Sequence, residues 1–329
     1  MASRMTVLLI VVIALVGLLV YMIKMPGESF NGALIPLDEN GRELALKFER
    51  HVEALCSNPA GRHYLEKKGL AAARDYIAEQ FEASGYDVGF QSYEFDGDDY
   101  TNIEVTRAGN RLADEIIVVG AHYDAVVGAP GANDNGSGVA ALLELAHRFN
   151  QVELPRTLRF VAFVNEEPPH FLTGSMGSDV YAKRVARQGE NIVAMFSLET
   201  IGYYRDDIGS QHYPPPLNFF YPKQGNFIAF VGNLSSRALV IRSLGAFRQH
   251  ARFPSEGIAA PAFIPGVDWS DHRSFWKQGY PAVMITDTAP YRYPYYHSSQ
   301  DTPDKVDYSR MVYVVDGLAK MLETLAGVE

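Results

Sequence analysis

Ile116-Ile117-Val118-Val119-Gly120 runs into Ala121-His122-Tyr123-Asp124, and Gly131-Ala132-Asn133-Asp134-Asn135-Gly136-Ser137-Gly138 then opens into Val139-Ala140-Ala141-Leu142-Leu143. The first run is short, continuously apolar and rich in β-branched residues, which predicts a strand buried on both faces. Val139, Leu142, Leu143 and Ala146 share one face at helical spacing. A buried strand, a glycine-rich loop and an amphipathic helix make the opening of a parallel α/β unit. Working outward, residues 158–164, 192–198, 227–231 and 282–286 read as strands of the same kind. Helical faces recur at Leu70, Ala73, Ile77 and Phe81 with a stop near Gly85, at Val240, Leu244 and Phe247, and at Met311, Val314, Val315 and Leu318. The pattern predicts an α/β fold: a single three-layer domain with a mostly parallel, mixed central sheet flanked by helices. The Tyr- and Pro-rich stretch 205–224 reads as an ordered loop beside a cleft.

Composition narrows the function classes. The 329 residues are 47% hydrophobic and 21% charged, a globular mix that excludes a disordered chain, a collagen and a coiled coil. A net charge of −10 argues against a nucleic-acid partner. The single cysteine, Cys56, excludes an intrachain disulfide framework and a multi-cysteine metal site. No Gly-x-Ser-x-Gly elbow, His-Glu-x-x-His helix or phosphate-binding Gly-Lys-Ser/Thr loop is present. Residues 5–23 carry no charge and lie between Arg4 and Lys24. That length suits a spanning helix of ~20 residues better than the ~7–15 apolar residues of a signal-peptide core, and no small-x-small cleavage site follows. The expected organisation is a short tail (1–4), a transmembrane signal anchor (5–23), a linker (24–34) and a catalytic domain (35–329).

In open α/β sheets ligands bind beyond the carboxyl ends of the strands. At those ends the sequence places His122, then Asp134 where a helix opens, Glu166-Glu167, Glu199 and, across an aromatic loop, His297. Each has a bland reading alone: a strand-end histidine, a helix cap, solvated loop charges. Together they put two imidazoles and four carboxylates on one edge of the sheet, a set that repels itself unless a cation sits among it. Imidazole plus carboxylate without thiolate suits zinc in an open catalytic site. The number of donors suits two ions bridged by a shared carboxylate, with one carboxylate left over as a general base.

His122-x-Asp124, the Asn-Asp-Asn-Gly-Ser-Gly box, Asn165-Glu166-Glu167, Leu198-Glu199-x-Ile201-Gly202-Tyr203 and Tyr296-His297 with Asp301-Thr302-Pro303 resemble, in order, the co-catalytic zinc aminopeptidase superfamily. That superfamily of zinc-dependent exopeptidases also holds glutamate carboxypeptidase-type enzymes and glutaminyl cyclases. The resemblance implies two Zn2+ ions (Co2+ or Mn2+ as substitutes), with Asp134 bridging, His122 and Glu199 completing one shell, and Glu167 and His297 the other. It implies Glu166 as general base, Asp124 as the group orienting His122, Tyr296 as an oxyanion donor, and a cis peptide after Asp134. Asp271 is a weaker candidate to line the site. Glu199 stands where many members have Asp, and the segment 168–174 is longer than in relatives, which suggests a role in shaping the pocket. The expectation is a membrane-anchored di-zinc aminopeptidase acting on peptides or amino-acid amides with a free N-terminus, its domain outside the cytoplasm. The alternatives are a mono-zinc glutaminyl cyclase, a non-catalytic binding protein on the same fold, and a carboxypeptidase for acidic C-termini. The last would use Arg205, Arg273 or Arg292.

Overall fold

The computed structural model describes residues 4–328. Among them the helices are α1 (Arg4–Ile23), α2 (Glu39–Leu55), α3 (Lys67–Ala83), α4 (Gly138–Phe149), α5 (Gly177–Arg187), α6 (Arg237–His250), α7 (His272–Lys277), α8 (Ala289–Arg292) and α9 (Tyr308–Ala326). The strands are β1 (Gly89–Phe95), β2 (Asp98–Arg107), β3 (Leu112–His122), β4 (Arg156–Phe163), β5 (Asn191–Glu199), β6 (Ile228–Gly232), β7 (Ser255–Ala259) and β8 (Ala282–Thr286). They form one 8-stranded sheet in the order β1-β2-β4-β3-β5-β8-β6-β7. The centre, β4-β3-β5-β8, is parallel, and β6-β7 is a further parallel pair. β1-β2, β2-β4 and β8-β6 are antiparallel.

The alternation of a strand explains the three layers. Ile117, Val119 and Ala121 of β3 face an apolar layer shared with α2, α3, α4, α6 and α9. Ile116 and Val118 face the opposite layer, with Tyr181, Ala182 and Val185 of α5 and Phe275 of α7. Both faces of the central strands are covered, so these strands are apolar at nearly every position. Burying each large side chain in these layers stabilises the fold by roughly 1.5–3 kcal/mol. The helix ends follow local chemistry. Asp38 accepts from Gly41 N–H at the start of α2 (2.8 Å), and Asp307 from Arg310 N–H at the start of α9 (2.9 Å). Gly85, just past α3, takes φ 86°, open to glycine without steric cost.

The sequence reading passed over β1, β2 and β7. β1 is an edge strand with no fully buried position, so it lacks the apolar run of the central strands. The hairpin signal was nonetheless present: Asp96 and Gly97, with φ 54° and 80°, make the tight connection for which Asp-Gly is favoured. β7 is short and carries Ser, Glu and Gly. Within the stretch 205–224 the regular structure is an isolated Ile208–Gln224 bridge and a single turn at Leu217–Phe219.

Of the expected N-terminal tail, residues 1–3 lie outside the described residues. α1 is long and apolar enough to cross a membrane by length and composition, and only Met22 of it is buried. Residues 24–29 are held on the domain: Arg248 donates to Pro26 O (2.9 Å), and Ser29 Oγ accepts from Ser255 N–H (2.9 Å).

Asn102 of β2 carries the sheet toward the site, accepting from Val164 N–H (3.0 Å) and donating to Gly177 O (2.9 Å). A Cβ on Gly177 would meet Val164 O at 2.5 Å and press on Asn102 Oδ1. Gly177→Ala is therefore expected to destabilise the chain by about 1–3 kcal/mol, read as a lower urea midpoint with unchanged slope.

Candidate metal centre

His122 is the last residue of β3, Glu199 the last of β5, and Glu166-Glu167 follow β4. The parallel block β4-β3-β5 thus delivers an imidazole and three carboxylates to one edge. Asp134 arrives from the turn before α4, and His297 from the loop after α8. His122 Nε2 lies 3.4 Å from Asp134 Oδ1, 3.3 Å from Glu199 Oε2 and 3.8 Å from Glu166 Oε2. His297 Nε2 lies 3.2 Å from Asp134 Oδ2 and 3.2 Å from Glu167 Oε2. The donor atoms of His122, Asp134 and Glu199 lie within 4.8 Å of one another, as do those of Asp134, Glu167 and His297. Asp134 belongs to both groups and presents a different oxygen to each.

Burial makes this cluster costly without a cation. His122, Asp134, Glu166, Glu167 and Glu199 are all buried. His122 Nε2, Asp134 Oδ2 and Glu167 Oε1 have no hydrogen-bond partner among the described residues, although buried polar atoms are normally paired. Orphaned, converging imidazole and carboxylate donors fit a divalent metal. The electrostatics of the protein alone agree. Burial pushes the Glu166 carboxyl well above its ordinary range, and the charges of Glu199 and Glu167 push the same way. Burial and the Asp134 charge raise Glu167 to about 7. Burial opposes the imidazolium of His297, but the facing carboxylates of Asp134 and Glu167 outweigh it and push that histidine up to about 10. The carboxylates thus draw positive charge from the only side chains among them that can supply it.

The surrounding groups hold backbone. Asp124 Oδ1 and Oδ2 accept from Glu166 N–H and Glu167 N–H (3.1 Å each), while His122 Nδ1 sits 3.2 Å from Asp124 O and 3.6 Å from Asp124 Oδ1. Asp124 therefore sets the direction of the glutamate pair as well as facing His122. Asp301 accepts from Asn133 N–H (2.8 Å), Asp134 N–H (3.1 Å) and Tyr293 Oη (2.7 Å). The Asp134–Asn135 peptide is cis. Asn135 donates to Leu198 O (2.7 Å) and accepts from Thr200 N–H (3.0 Å) and Gly138 N–H (3.1 Å), gripping β5 beside Glu199 while capping α4. Asn133 and Ser137 accept from Gly202 N–H and Ile201 N–H. Glu199, despite its extra methylene, is steered by a 2.7 Å hydrogen bond from Ser270.

The sequence assigned no role to Asn102, Asn133, Asn135, Ser137, Ser270 or Arg62. Buried Arg62 donates to Tyr123 O (2.8 Å), Gly131 O (2.6 Å) and Pro130 O, tying the end of β3 to the Asp134 loop. Nothing local marks this role, because the three carbonyls it ties together lie more than sixty residues away along the chain. Tyr296 stacks on His297, ring centroids 3.9 Å apart. Asp271 is fully buried with both oxygens unpaired, and burial lifts it to about 7.

A cleft enclosing about 830 Å³ of free space, its open mouth included, begins at Glu199, Thr200 and Tyr296. Its walls are mostly apolar, with Leu217, Phe227, Val231, Ile264 and Met284 among them. Residues 168–174 do not line it, contrary to the expectation from their length. His170 instead packs against the rings of Tyr64, Phe95 and Tyr100, which places that segment on the β1-β2 side. Arg205, Arg273 and Arg292 are absent from the lining. They are occupied by Asp207 (2.8 Å), Asp268 (2.9 Å) and Phe227 O (2.8 Å).

A mixed α/β sheet with a buried His/carboxylate cluster at its carboxyl edge defines a metallohydrolase architecture. The profile of Peptidase family M28 matches residues 102–322, and the chain belongs to that family. It is 40% identical over 287 residues to YfbL, an uncharacterized protein of Escherichia coli (strain K12), covering 84% of this chain and 87% of that one. It is 26% identical over 214 residues to aminopeptidase YwaD of Bacillus subtilis (strain 168), covering 64% of this chain but 41% of YwaD. A probable zinc metalloprotease of Phaeosphaeria nodorum is 27% identical over 227 residues, 57% of this chain and 43% of that protein. Among solved structures, LapB from Legionella pneumophila superposes with TM-score 0.68 at 20% identity, covering 95% of this chain and 81% of that one. The glutaminyl cyclase of Fimbriiglobus ruber superposes with TM-score 0.62 at 20% identity, covering 91% and 99%. At these identities the structural likeness speaks for the fold.

Removing the Asp124 carboxylate frees two backbone amides beneath the glutamate pair. Asp124→Ala is expected to weaken zinc affinity about 10–100-fold, measured by competition with a chromogenic chelator, while Glu166→Gln leaves it nearly unchanged.

Proposed function

We propose that this chain is a membrane-anchored zinc aminopeptidase with a preference for large apolar N-terminal residues, its domain outside the cytoplasm. The observation that carries the reading is Asp134, whose two oxygens face different histidines. Each completes a three-residue group, one with Glu199 and the other with Glu167. In this reading His122, Asp134 and Glu199 hold one ion and Asp134, Glu167 and His297 the other. When bound, zinc supplies Lewis acidity toward a carbonyl and lowers the pKa of a coordinated water to about 7.

The chain's own groups do the rest. Glu166 is the carboxylate left outside both groups, buried beside His122. It takes a proton from the attacking water and passes it to the leaving amine, the part a carboxylate held beside the reacting groups can play. Tyr296, stacked on His297 and lining the cleft, donates a hydrogen bond to the oxyanion. Asp124 positions His122 and the Glu166-Glu167 backbone. The apolar cleft beginning at Glu199 takes the N-terminal side chain, and its lack of arginine disfavours acidic C-termini. α1 supports the anchor by its length and exposure.

Glutaminyl cyclisation is the second reading, favoured by the fold match across nearly all of a glutaminyl cyclase. One experiment separates the two. The full-length chain in detergent, loaded with zinc, is incubated with peptides of varied N-terminus, N-terminal Gln included, and the products are read by mass spectrometry. The expected result is stepwise loss of N-terminal Leu, Phe and Met, abolished by a chelator and slowed about 10²–10⁴-fold by Glu166→Gln. Loss of ammonia alone, from Gln peptides alone, would replace the aminopeptidase with a cyclase.

A further inference from the structure

The walls of the apolar cleft and the foot of α1 are parts of one structure. Met22 is buried in a cluster with Leu217, Phe227, Val231, Ile258, Val267 and Met284, and Ile23, Tyr213, Tyr221 and Ile264 pack on its rim. The two loops concerned, residues 213–221 and 261–267, supply much of the cleft lining: Tyr213, Leu217 and Tyr221 from one, Ile264 and Val267 from the other. Loop 213–221 and the foot of α1 converge on one residue. Tyr221 Oη donates to Gly257 O (2.8 Å), and Met25 Cγ lies 3.3 Å from where a Cβ on Gly257 would stand. The foot is also fixed by polar contacts. Arg237 donates to Tyr21 O (2.7 Å) and Lys24 O (3.2 Å), and its guanidinium lies 4.1 Å from the centre of the Tyr21 ring. α1 therefore leaves the domain at a set place, and its exposure from Arg4 to Leu18 shows that it projects away rather than lying along the surface.

The same two loops also carry large apolar side chains into solvent. Phe219 is 80% exposed, Phe220 48% and Phe263 86%. Exposed phenyl rings this complete are costly in water but suit the boundary between headgroups and acyl chains, where aromatic residues collect. Lys24 and Arg237 put positive charge beside the foot, which suits anionic headgroups.

Resting on the reading of α1 as a membrane helix, we infer that loops 213–221 and 261–267 dock on the lipid bilayer beside α1 through Phe219, Phe220 and Phe263. The wall of the substrate cleft is then in contact with the membrane surface. The enzyme is held in one orientation rather than swinging on a tether, and the peptides that reach the cleft most readily are those already adsorbed to the bilayer by apolar residues.

Tryptophan quenching in vesicles tests this. The full-length chain is reconstituted in phosphatidylcholine–phosphatidylglycerol vesicles with lipids brominated high on the acyl chain, and the emission added by each new tryptophan is taken over the parent, which holds Trp269 and Trp276. Rings lodged ~5–10 Å into the headgroup/acyl boundary bring Phe219→Trp and Phe263→Trp within reach of the bromines, and each is expected to lose roughly half of its added emission. Phe90→Trp, exposed on β1 at the far edge of the sheet, is expected to lose none. Leu15→Trp in the middle of α1 reports on the helix itself. Quenching of Leu15→Trp without Phe219→Trp or Phe263→Trp overturns the docking and leaves the membrane helix standing. Absence of quenching at Leu15→Trp overturns both. Equal quenching at Phe90→Trp overturns the docking by showing no fixed orientation.

Discussion

The mutual repulsion of buried carboxylates governs this structure. Asp124, Asp134, Glu166, Glu167, Glu199 and Asp271 all lie beneath the surface at one edge of the sheet. Neutral backbone and two imidazoles cannot balance that much negative charge in a low-dielectric interior. Without a cation, burial pushes the carboxyls of Glu166 and Glu167 up, and the facing carboxylates push His297 up as well. In the proposed reading a divalent ion at each three-residue group would offset that charge, which would couple metal binding to the stability of this edge.

Holding like charges together takes a rigid frame, and the frame is backbone. Asn165, Thr200 and His297 have φ values of 60°, 46° and 54°, in the left-handed region that non-glycine residues seldom adopt. Each is, or directly adjoins, a residue of the cluster, and Thr200 is β-branched, where the strain is greatest. Such conformations persist only where surrounding contacts over-determine them. Here those contacts are side-chain carboxylates and amides on main-chain N–H and C=O groups: Asp124 under the glutamate pair, Asp301 under Asp134, Asn135 across to β5. The polar box around Asp134 is thus a frame as much as a source of donors.

Polarity changes abruptly at Glu199. On one side lie the charged groups, and on the other the cleft is walled by aliphatic and aromatic side chains that also receive the foot of α1. A substrate placed across that boundary would have its reacting bond among the carboxylates and an apolar side chain in the cleft. The same apolar cluster serves as core for β6, β7 and β8 and as the seat of the N-terminal helix, so the cleft and the foot of α1 share one set of packing contacts.

The chain order alone carried the central strands, helices α3, α4, α6 and α9 and the residues of the cluster, but not α2, α5 and α7, which also pack on the sheet. Buried parallel strands must be continuously apolar, and in such a sheet chemistry must follow their carboxyl ends, so β3, β4, β5, β6 and β8 and the side chains after them are local signals. The edge elements were less legible. β1 lacks a continuous apolar run because this edge strand is not covered on both faces, although Asp96-Gly97 marked its hairpin, and β7, though mostly buried, is short and carries Ser, Glu and Gly. The sequence also misplaced residues 168–174, whose destination depends on aromatic partners seventy residues upstream and more. Tertiary structure alone decided that Asp134 turns one oxygen to each histidine, that Arg62 and Asn102 lock distant loops, and that the cleft wall meets the foot of α1. Residue types and their order determine which chemistry is available; which atoms meet depends on contacts between segments far apart in the chain, and only the packed fold sets those distances.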